Sequence, residues 1–315
     1  MSGPAPGQYL NTESENRKRL VAFGRFFLAN LLHLAAILAF LALVVPRIFR
    51  AEVSNGWLVF GWTLLLGLPI SLFEYLYHRY LLHSAVLPFM AAMHRAHNTH
   101  HGLTCVKAPV TPHEPAKLVP VTSEFPIEEE HQEESMMFPL FSLPIFVFVL
   151  MILLGIPLKL MLPAQPILVP LVLAVTLYLA LYEVWHAVLH LPFEQFWQPL
   201  LNAKATRKIA THMYSFHLMH HLRPTSNLAI VGFWGIAVWD HDFRTHRRPE
   251  RLPLHGAEVN YYDAKLKTPL IPIPFWIGGK AGSTKPREQS SASWRDFSSG
   301  EATEEGCFAL SRRGL

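Results

Sequence analysis

The stretch FFLANLLHLAAILAFLALVV, residues 26–45, runs for 20 residues without a formal charge. A helix that crosses the hydrocarbon core of a bilayer needs roughly 20 apolar residues, so this stretch is long enough to span a membrane. Three further uncharged runs follow, at 57–73, 136–158 and 160–182. Charged residues make up only 16% of the chain, against roughly 25% in soluble domains. The sequence therefore predicts an all-α, multi-pass integral membrane protein with four transmembrane helices.

The four runs pair into two transmembrane hairpins, because a short turn joins each pair. Basic residues are sparse in these turns, where Lys159 stands alone in the second, and are frequent before the first run and after the second and fourth. By the positive-inside rule, the N-terminus, the C-terminus and the histidine-rich regions then face the cytosol. No cleaved signal peptide is expected, because the first run is too long for one. The alternative is that some runs are buried helices of a soluble protein.

The shorter apolar run at 227–239 cannot span a membrane, but Trp234 and Trp239 are suited to anchor it at the interface. We expect no nucleic-acid partner, because the chain has no dense basic run. The chain divides into six predicted segments: a cytosolic N-terminal segment (1–25), transmembrane hairpin one (26–76), the first histidine set with an acidic connector (77–135), hairpin two (136–185), the second histidine set with a closing segment (186–250), and a basic, partly disordered tail (251–315).

Ten of the 18 histidines form two matched sets, each directly after a predicted hairpin. Each set is a pair followed by a triplet: His78 and His83 with His97, His100 and His101, then His186 and His190 with His217, His220 and His221. Residues three and four apart share a helix face, so each triplet and the second pair can point at one place. The first pair is five apart, about 140° around an ideal helix, and therefore needs a helix end or a distortion between its members.

Histidine is the commonest metal ligand in proteins, and imidazole suits zinc, iron, copper or nickel. Ten ligands are too many for a single zinc ion, which takes three or four. The pattern predicts two metal ions, each with about five nitrogen ligands, held by a helical, histidine-rich domain that caps the transmembrane helices.

The side chains around the two sets suggest supporting roles. Glu74 precedes His78 by four residues and Glu183 precedes His186 by three, so each carboxylate could accept a hydrogen bond from a ligand ring. Helix caps or salt bridges are the alternative for both. His94 and His212 precede the triplets as possible supporting partners or extra ligands. His33 is expected to be neutral within the first span, and the rest are expected at the surface: His113, His131, His241, His246 and His255.

The four motifs HRYLLH, HNTHH, HAVLH and HLMHH, in this order between paired spans, resemble the fatty acid hydroxylase and sterol desaturase superfamily. The resemblance covers roughly 57–249. It continues past the last motif, with Asn227 and with Trp239, Asp240, Phe243, Thr245 and Pro249, which echo the closing W-D-x-x-F-x-T segment. Asp242 and Arg244 stand where that segment usually has an apolar residue and a glycine.

The resemblance implies an integral membrane enzyme whose ten motif histidines bind two iron ions on the cytosolic side, with zinc as a possible substitute in a purified sample. It implies an O₂-dependent oxidoreductase, a monooxygenase of lipid metabolism that hydroxylates a fatty acyl or sterol-like C–H bond. Some relatives carry a fused haem domain, for which the segment before the first span is too short. Electrons are therefore expected from a separate cytochrome b-type protein or a ferredoxin with its reductase. The membrane is expected to be a bacterial inner membrane or the endoplasmic reticulum.

Three alternatives stay open at this point. A lipid desaturase or sterol demethylase would use the same metal centre. A membrane haem electron carrier would need facing histidine pairs inside the spans, whereas these sets lie at or beyond the span ends. A metal transporter would need ligands along a path across the bilayer, where His33 is the one candidate.

Overall fold

The computed structural model describes residues 13–84, 91–103, 137–191, 193–222, 224–248 and 265–266. These residues are helical except for turns, loops and one antiparallel pair of two-residue strands. The elements are α1 (Glu13–Val44), α2 (Pro46–Val53), α3 (Gly56–Tyr77), α4 (Ala91–Leu103), α5 (Ser142–Leu150), α6 (Ile156–Met161), α7 (Leu168–Leu189), α8 (Gln198–Asn202), α9 (Arg207–Leu222), α10 (Val238–Asp242), β1 (Arg247–Arg248) and β2 (Lys265–Leu266). Three five-residue π-helical turns occupy His78–Leu82, Met151–Gly155 and Phe193–Trp197.

Within the described part of the chain, four helical stretches are long and apolar enough to cross a membrane, which confirms the predicted number. They are Leu20–Val44, Gly56–Leu82, Ser142–Met161 and Leu168–Leu189. Large apolar side chains stay exposed along them, such as Leu28, Leu43 and Phe148. A soluble surface does not carry so continuous an apolar cover, whereas lipid tails solvate it without cost. The chain is therefore a membrane protein with four transmembrane helices.

The predicted bounds of the third and fourth spans were wrong. The break between them falls at residues 162–167, which contain Pro163 and Pro166, and Lys159 lies inside α6. Proline supplies no backbone N–H and is poorly tolerated inside a helix, whereas one lysine near a helix end is acceptable. The charge at residue 159 misplaced the boundary, and the two prolines mark it correctly.

The ammonium of Lys159 lies 2.6 Å from the carboxylate of Glu52 in α2. Glu52 is only 1% exposed and also accepts a hydrogen bond from the backbone N–H of Val169 at the start of α7. A buried carboxylate needs such partners to offset its desolvation. This pair joins the turn of the first hairpin to the turn of the second.

The described chain divides into two compact units. The first contains residues 13–84, 91–100, 137–190 and 228–239, and the second contains 101–103, 191–222, 224–227, 240–248 and 265–266, without residue 192. The first unit holds the apolar core, in which α3 packs along α7 and α1 and α5 pack beside them. The second is built on α8, α9 and the strand pair.

Residues 228–239 pack against α3 within the first unit. The indole N–H of Trp234 donates to the backbone carbonyl of Leu64, and that of Trp239 donates to the hydroxyl of Ser71 at 2.8 Å. Gly67 leaves room for the Trp234 ring, which would approach a Cβ at this position to 2.4 Å. Two tryptophans therefore fasten the segment to the middle of a membrane-length helix.

The closing segment of the second unit forms a tight turn around Asp240. The Asp240 carboxylate accepts a hydrogen bond from the Thr245 hydroxyl at 2.7 Å, and its backbone carbonyl accepts from the N–H of Thr245 and of His246. Arg244 lies in the left-handed region with φ +58°. Glycine adopts this conformation more readily than any residue with a side chain does.

Candidate metal centre

The first histidine pair lies on a π turn, which confirms the distortion that its spacing predicted. The π turn His78–Leu82 extends α3, and the N–H of His83 donates to the carbonyl of His78 at 3.1 Å. A hydrogen bond across five residues places residues five apart above one another. The rings of His78 and His83 accordingly stack, with centroids 5.0 Å apart and planes 13° from parallel.

His97 on α4 joins this pair and makes the first histidine group of unit one. Its Nε2 atom lies 3.1 Å from Nε2 of His78 and 3.0 Å from Nε2 of His83. His78 is 1% exposed. Three ring nitrogens thus meet at one point, with His78 buried and His83 and His97 partly exposed.

His100, one turn further along α4, forms a second group in unit one with the pair at the end of α7. Nε2 of His186 lies 3.2 Å from Nε2 of His100 and 3.2 Å from Nε2 of His190. α7 ends at Leu189, and the N–H of His190 still donates to the carbonyl of His186. An ordinary α-helical turn therefore aligns a pair that is four residues apart. All three rings are buried.

The remaining four predicted ligands lie together in unit two. Nε2 of His220 on α9 lies 3.1 Å from Nε2 of His101, and Nε2 of His221 lies 2.9 Å from Nε2 of His217. The rings of His101 and His221 have centroids 4.4 Å apart. Each of the ten predicted histidines therefore meets others of the set within its own unit.

The spacing of the Nε2 atoms fits cis ligands of a five- or six-coordinate metal ion. Two imidazoles at about 2.1 Å from one ion lie about 3.0 Å apart at a right angle, and about 3.4 Å apart at a tetrahedral angle. The six Nε2–Nε2 distances above run from 2.9 to 3.2 Å. Such histidine clusters are able to hold metal ions.

Backbone carbonyls orient two of the rings. The Nδ1–H of His78 donates to the carbonyl of Leu228 in unit one, and the Nδ1–H of His220 donates to the carbonyl of Ser226 at 2.9 Å in unit two. A carbonyl can only accept, so the proton must sit on Nδ1 and the lone pair on Nε2. Burial lowers the pKa of His220 to about 4, which keeps its ring neutral and able to bind metal.

Glu74 and Glu183 do not accept hydrogen bonds from the ligand rings, so that predicted role was wrong. The carboxylate of Glu74 accepts from the N–H groups of three successive residues and from the hydroxyl of Tyr178 at 2.6 Å. The three N–H groups are those of Ile230, Val231 and Gly232. Glu183 accepts from the N–H of Phe138 at 2.8 Å. Glu74 acts as a buried clamp on the segment that supplies the Leu228 carbonyl.

Five other histidines lie within the described residues: His33, His94, His212, His241 and His246. His94 is not in either group, since its Nδ1–H donates to the carbonyl of Leu82 and its Nε2 accepts from the amide of Asn98. His241 and His246 were predicted at the surface but are 4% and 1% exposed, and their rings stack at 4.1 Å. The turn around Asp240 folds both inward, where His246 also stacks on His212. His33 lies half-buried on α1, and His113, His131 and His255 fall outside the described residues.

An apolar cavity lies in unit one between α3, α5 and α7. Its wall is mostly aromatic and includes Phe73, Phe146 and Tyr182. The ring of Tyr182 lies 5.7 Å from that of His186, so the cavity ends beside the second histidine group. No single residue in the sequence predicts this cavity, because helices from both hairpins line it.

The comparison with known proteins adds no relative to this description. No protein family, curated protein or solved structure matches the chain. The histidine groups, the membrane-spanning helices and the cavity are therefore the features that bear on its function.

Proposed function

We propose that this protein is an integral membrane monooxygenase that hydroxylates a lipid C–H bond with O₂. In this proposal the ten histidines of the four sequence motifs hold two iron ions: His78, His83, His97, His100, His101, His186, His190, His217, His220 and His221. The bound ions would supply the oxygen-activating redox chemistry that the side chains themselves lack. The observation that carries the proposal is the convergence of these rings through Nε2 at cis-ligand spacing.

The protein's own contribution would be to keep the ligand atoms aimed and neutral before the metal arrives. The carbonyl of Ser226 fixes the His220 tautomer, and burial keeps that ring unprotonated near neutral pH. Preset ligands lose little freedom when the metal binds, which favours affinity. The low exposure of His78, His100 and His220, each 1%, would also keep bulk water from the site.

The cavity supports a lipid as the substrate. Its aliphatic and aromatic lining suits a hydrocarbon segment and offers a polar headgroup little in exchange for lost hydration. Tyr182 lies between the cavity and His186, so a tail bound there would have carbon atoms close to the second histidine group. A fatty acyl chain or a sterol-like ring system both belong to this substrate class.

Several parts of the proposal rest on the sequence. The positive-inside rule favours a cytosolic position for the histidine sets, in a bacterial inner membrane or the endoplasmic reticulum. A cytochrome b-type protein or a ferredoxin with its reductase would then deliver electrons from the aqueous side. A haem carrier is disfavoured by geometry, because axial ligands on opposite faces of a haem lie about 4 Å apart. The observed Nε2 pairs are closer.

The test is expression in a host grown under ¹⁸O₂, followed by mass spectrometry of the extracted lipids. The proposal predicts a lipid that gains one labelled oxygen with the wild-type chain. The product should disappear with His220→Ala, whose iron content should also fall, and persist with the control His33→Ala. Loss of two hydrogens without label would identify a desaturase with the same centre. An unchanged lipid profile, or full activity of His220→Ala, would contradict the proposal.

A further inference from the structure

Two of the ten histidines receive their orientation from one tripeptide, Ser226–Asn227–Leu228. The carbonyl of Ser226 accepts from Nδ1–H of His220, and the carbonyl of Leu228 accepts from Nδ1–H of His78. These residues come from different sets, 142 positions apart in sequence. The residue between the two carbonyls, Asn227, takes no part in these two hydrogen bonds, yet its conformation determines how the chain runs from one carbonyl to the other.

Asn227 is held by four hydrogen bonds within unit two. Its side-chain N–H₂ donates to the carbonyls of Phe216 at 2.8 Å and Arg247 at 2.9 Å, and its Oδ1 accepts from the N–H of Arg247 at 2.6 Å. Its backbone N–H donates to the carbonyl of Thr245 at 3.2 Å. The residue is fully buried. Every polar group of the side chain therefore has a fixed partner, either on α9 or on β1.

The backbone of Asn227 is left-handed, with φ +53°. Asparagine tolerates this conformation better than other residues with a side chain, but it still costs free energy that the surroundings must offset. A left-handed residue reverses the course of the chain locally, so its two neighbours can direct their carbonyls to different partners. Strain held in place by four hydrogen bonds indicates that this local geometry has a use.

We infer that Asn227 is a positioning residue for the metal ligands. By pinning the tripeptide, it holds the carbonyls of Ser226 and Leu228 where they fix the Nδ1–H tautomer of His220 and His78. Both rings then present the Nε2 lone pair to the proposed metal centre. That the two Nε2 atoms bind metal rests on the proposed function. The Nδ1–H tautomers do not, because they can be observed in the metal-free protein.

The test uses full-length, metal-free protein in lipid nanodiscs with ¹⁵N-labelled histidine. Ring-nitrogen NMR shifts distinguish a protonated nitrogen from an unprotonated one, and signals missing from His78→Gln and His220→Gln identify the two rings. We expect a single Nδ1–H tautomer for each in the wild type. Asn227→Gly keeps the left-handed backbone but loses three hydrogen bonds, so both rings should become tautomer mixtures.

Metal binding provides the second readout, with Co²⁺ as the probe and its visible absorption spectrum as the signal. Asn227→Gly should weaken Co²⁺ binding about 10- to 100-fold, the usual effect of losing a group that orients a ligand. The matched control is Asn55→Ala, which removes the N-cap of α3 through its bonds to Trp57 and Leu58. This control should lower the melting temperature without changing the tautomers. Asn227→Asp, which keeps the size and the Oδ1 acceptor, replaces Asn227→Gly if the latter does not fold.

Unchanged tautomers in the Asn227 variant, or tautomer changes of the same size in Asn55→Ala, would overturn the inference while leaving the metal centre standing. If the wild type shows both single tautomers but binds no Co²⁺, the positioning role holds and the proposed function fails. The two readouts therefore separate the failure of one from the failure of the other.

Discussion

The ends of α3 and α7 align equivalent histidine pairs by different backbone geometries. His78 and His83 are five residues apart on a π turn, and their rings lie nearly parallel. His186 and His190 are four apart at an α-helical end, and their rings lie at 84° to each other. Both pairs nevertheless bring their Nε2 atoms to a third histidine on α4, His97 or His100.

At each helix end the spacing of the two histidines fits the local helix type, and in both cases the ring nitrogens come close together. An α-helix needs ligands four apart to place them on one face, and a π turn needs them five apart. A π turn has poorer hydrogen-bond geometry than an α turn, and at the end of α3 it brings two histidines that are five apart onto one face. The two ends can therefore be tested against each other by changing the spacing at one of them.

The largest expected effect comes from moving a ligand by one position. In the double variant Leu82→His/His83→Leu the pair is four apart, and the π turn then directs the new ring away from His97. In His190→Leu/Leu191→His the second pair is five apart on an α-helical end. Each variant should lose about one of the two bound metal ions, measured by mass spectrometry of the purified protein.

The control for the moved ligand is Leu82→Met, which changes the same turn and keeps His83 in place. It should retain both ions. If either double variant also keeps full metal content, helix type does not determine ligand placement and the comparison between the two ends fails.

The second effect concerns the carboxylates that precede the two pairs. Glu74→Gln should lower the free energy of unfolding by about 3 kcal/mol, because an amide cannot accept all four buried hydrogen bonds. Glu183→Gln should cost less than about 1 kcal/mol, since its amide oxygen can still accept from Phe138. Equilibrium unfolding in mixed detergent micelles measures both. If the two variants lower the free energy of unfolding equally, Glu74 stabilises the fold no more than Glu183 does.

The smallest effect concerns His94, which holds α4 to the last residue of the first π turn through the carbonyl of Leu82. His94→Ala should lower the free energy of unfolding by about 1 kcal/mol, the usual net value of one hydrogen bond. It should also weaken Co²⁺ binding slightly. Asn98→Ala, which removes the partner on the other side of the ring, should have less effect. A complete loss of metal in His94→Ala would make His94 a ligand and contradict its placement outside the groups.

Sequence reasoning was strongest where periodicity carries the information. Run lengths predicted the four membrane-spanning helices, and the spacing of His78 and His83 predicted a helix end or a distortion between them. It failed where partners are distant in sequence. Glu74 precedes His78 by one helical turn, but its hydrogen-bond partners all lie more than 100 residues away. Such pairings depend on the fold and not on local spacing.

Backbone groups were the other source of error. The carbonyls of Ser226 and Leu228 have no signature in the residue types, and Asn227 stood out only through the family resemblance. The inward turn of His241 and His246 depends on hydrogen bonds to the Asp240 backbone. Side-chain chemistry predicts which residues can bind a metal, whereas backbone conformation determines how they are held.

The most direct test of the central claim is X-ray absorption at the iron edge, combined with iron quantitation, on protein reconstituted anaerobically with Fe²⁺. The account predicts two iron ions per chain, each in a shell of five or six ligands dominated by imidazole nitrogen. A single ion per chain, or a shell of sulfur or of oxygen alone, would contradict it.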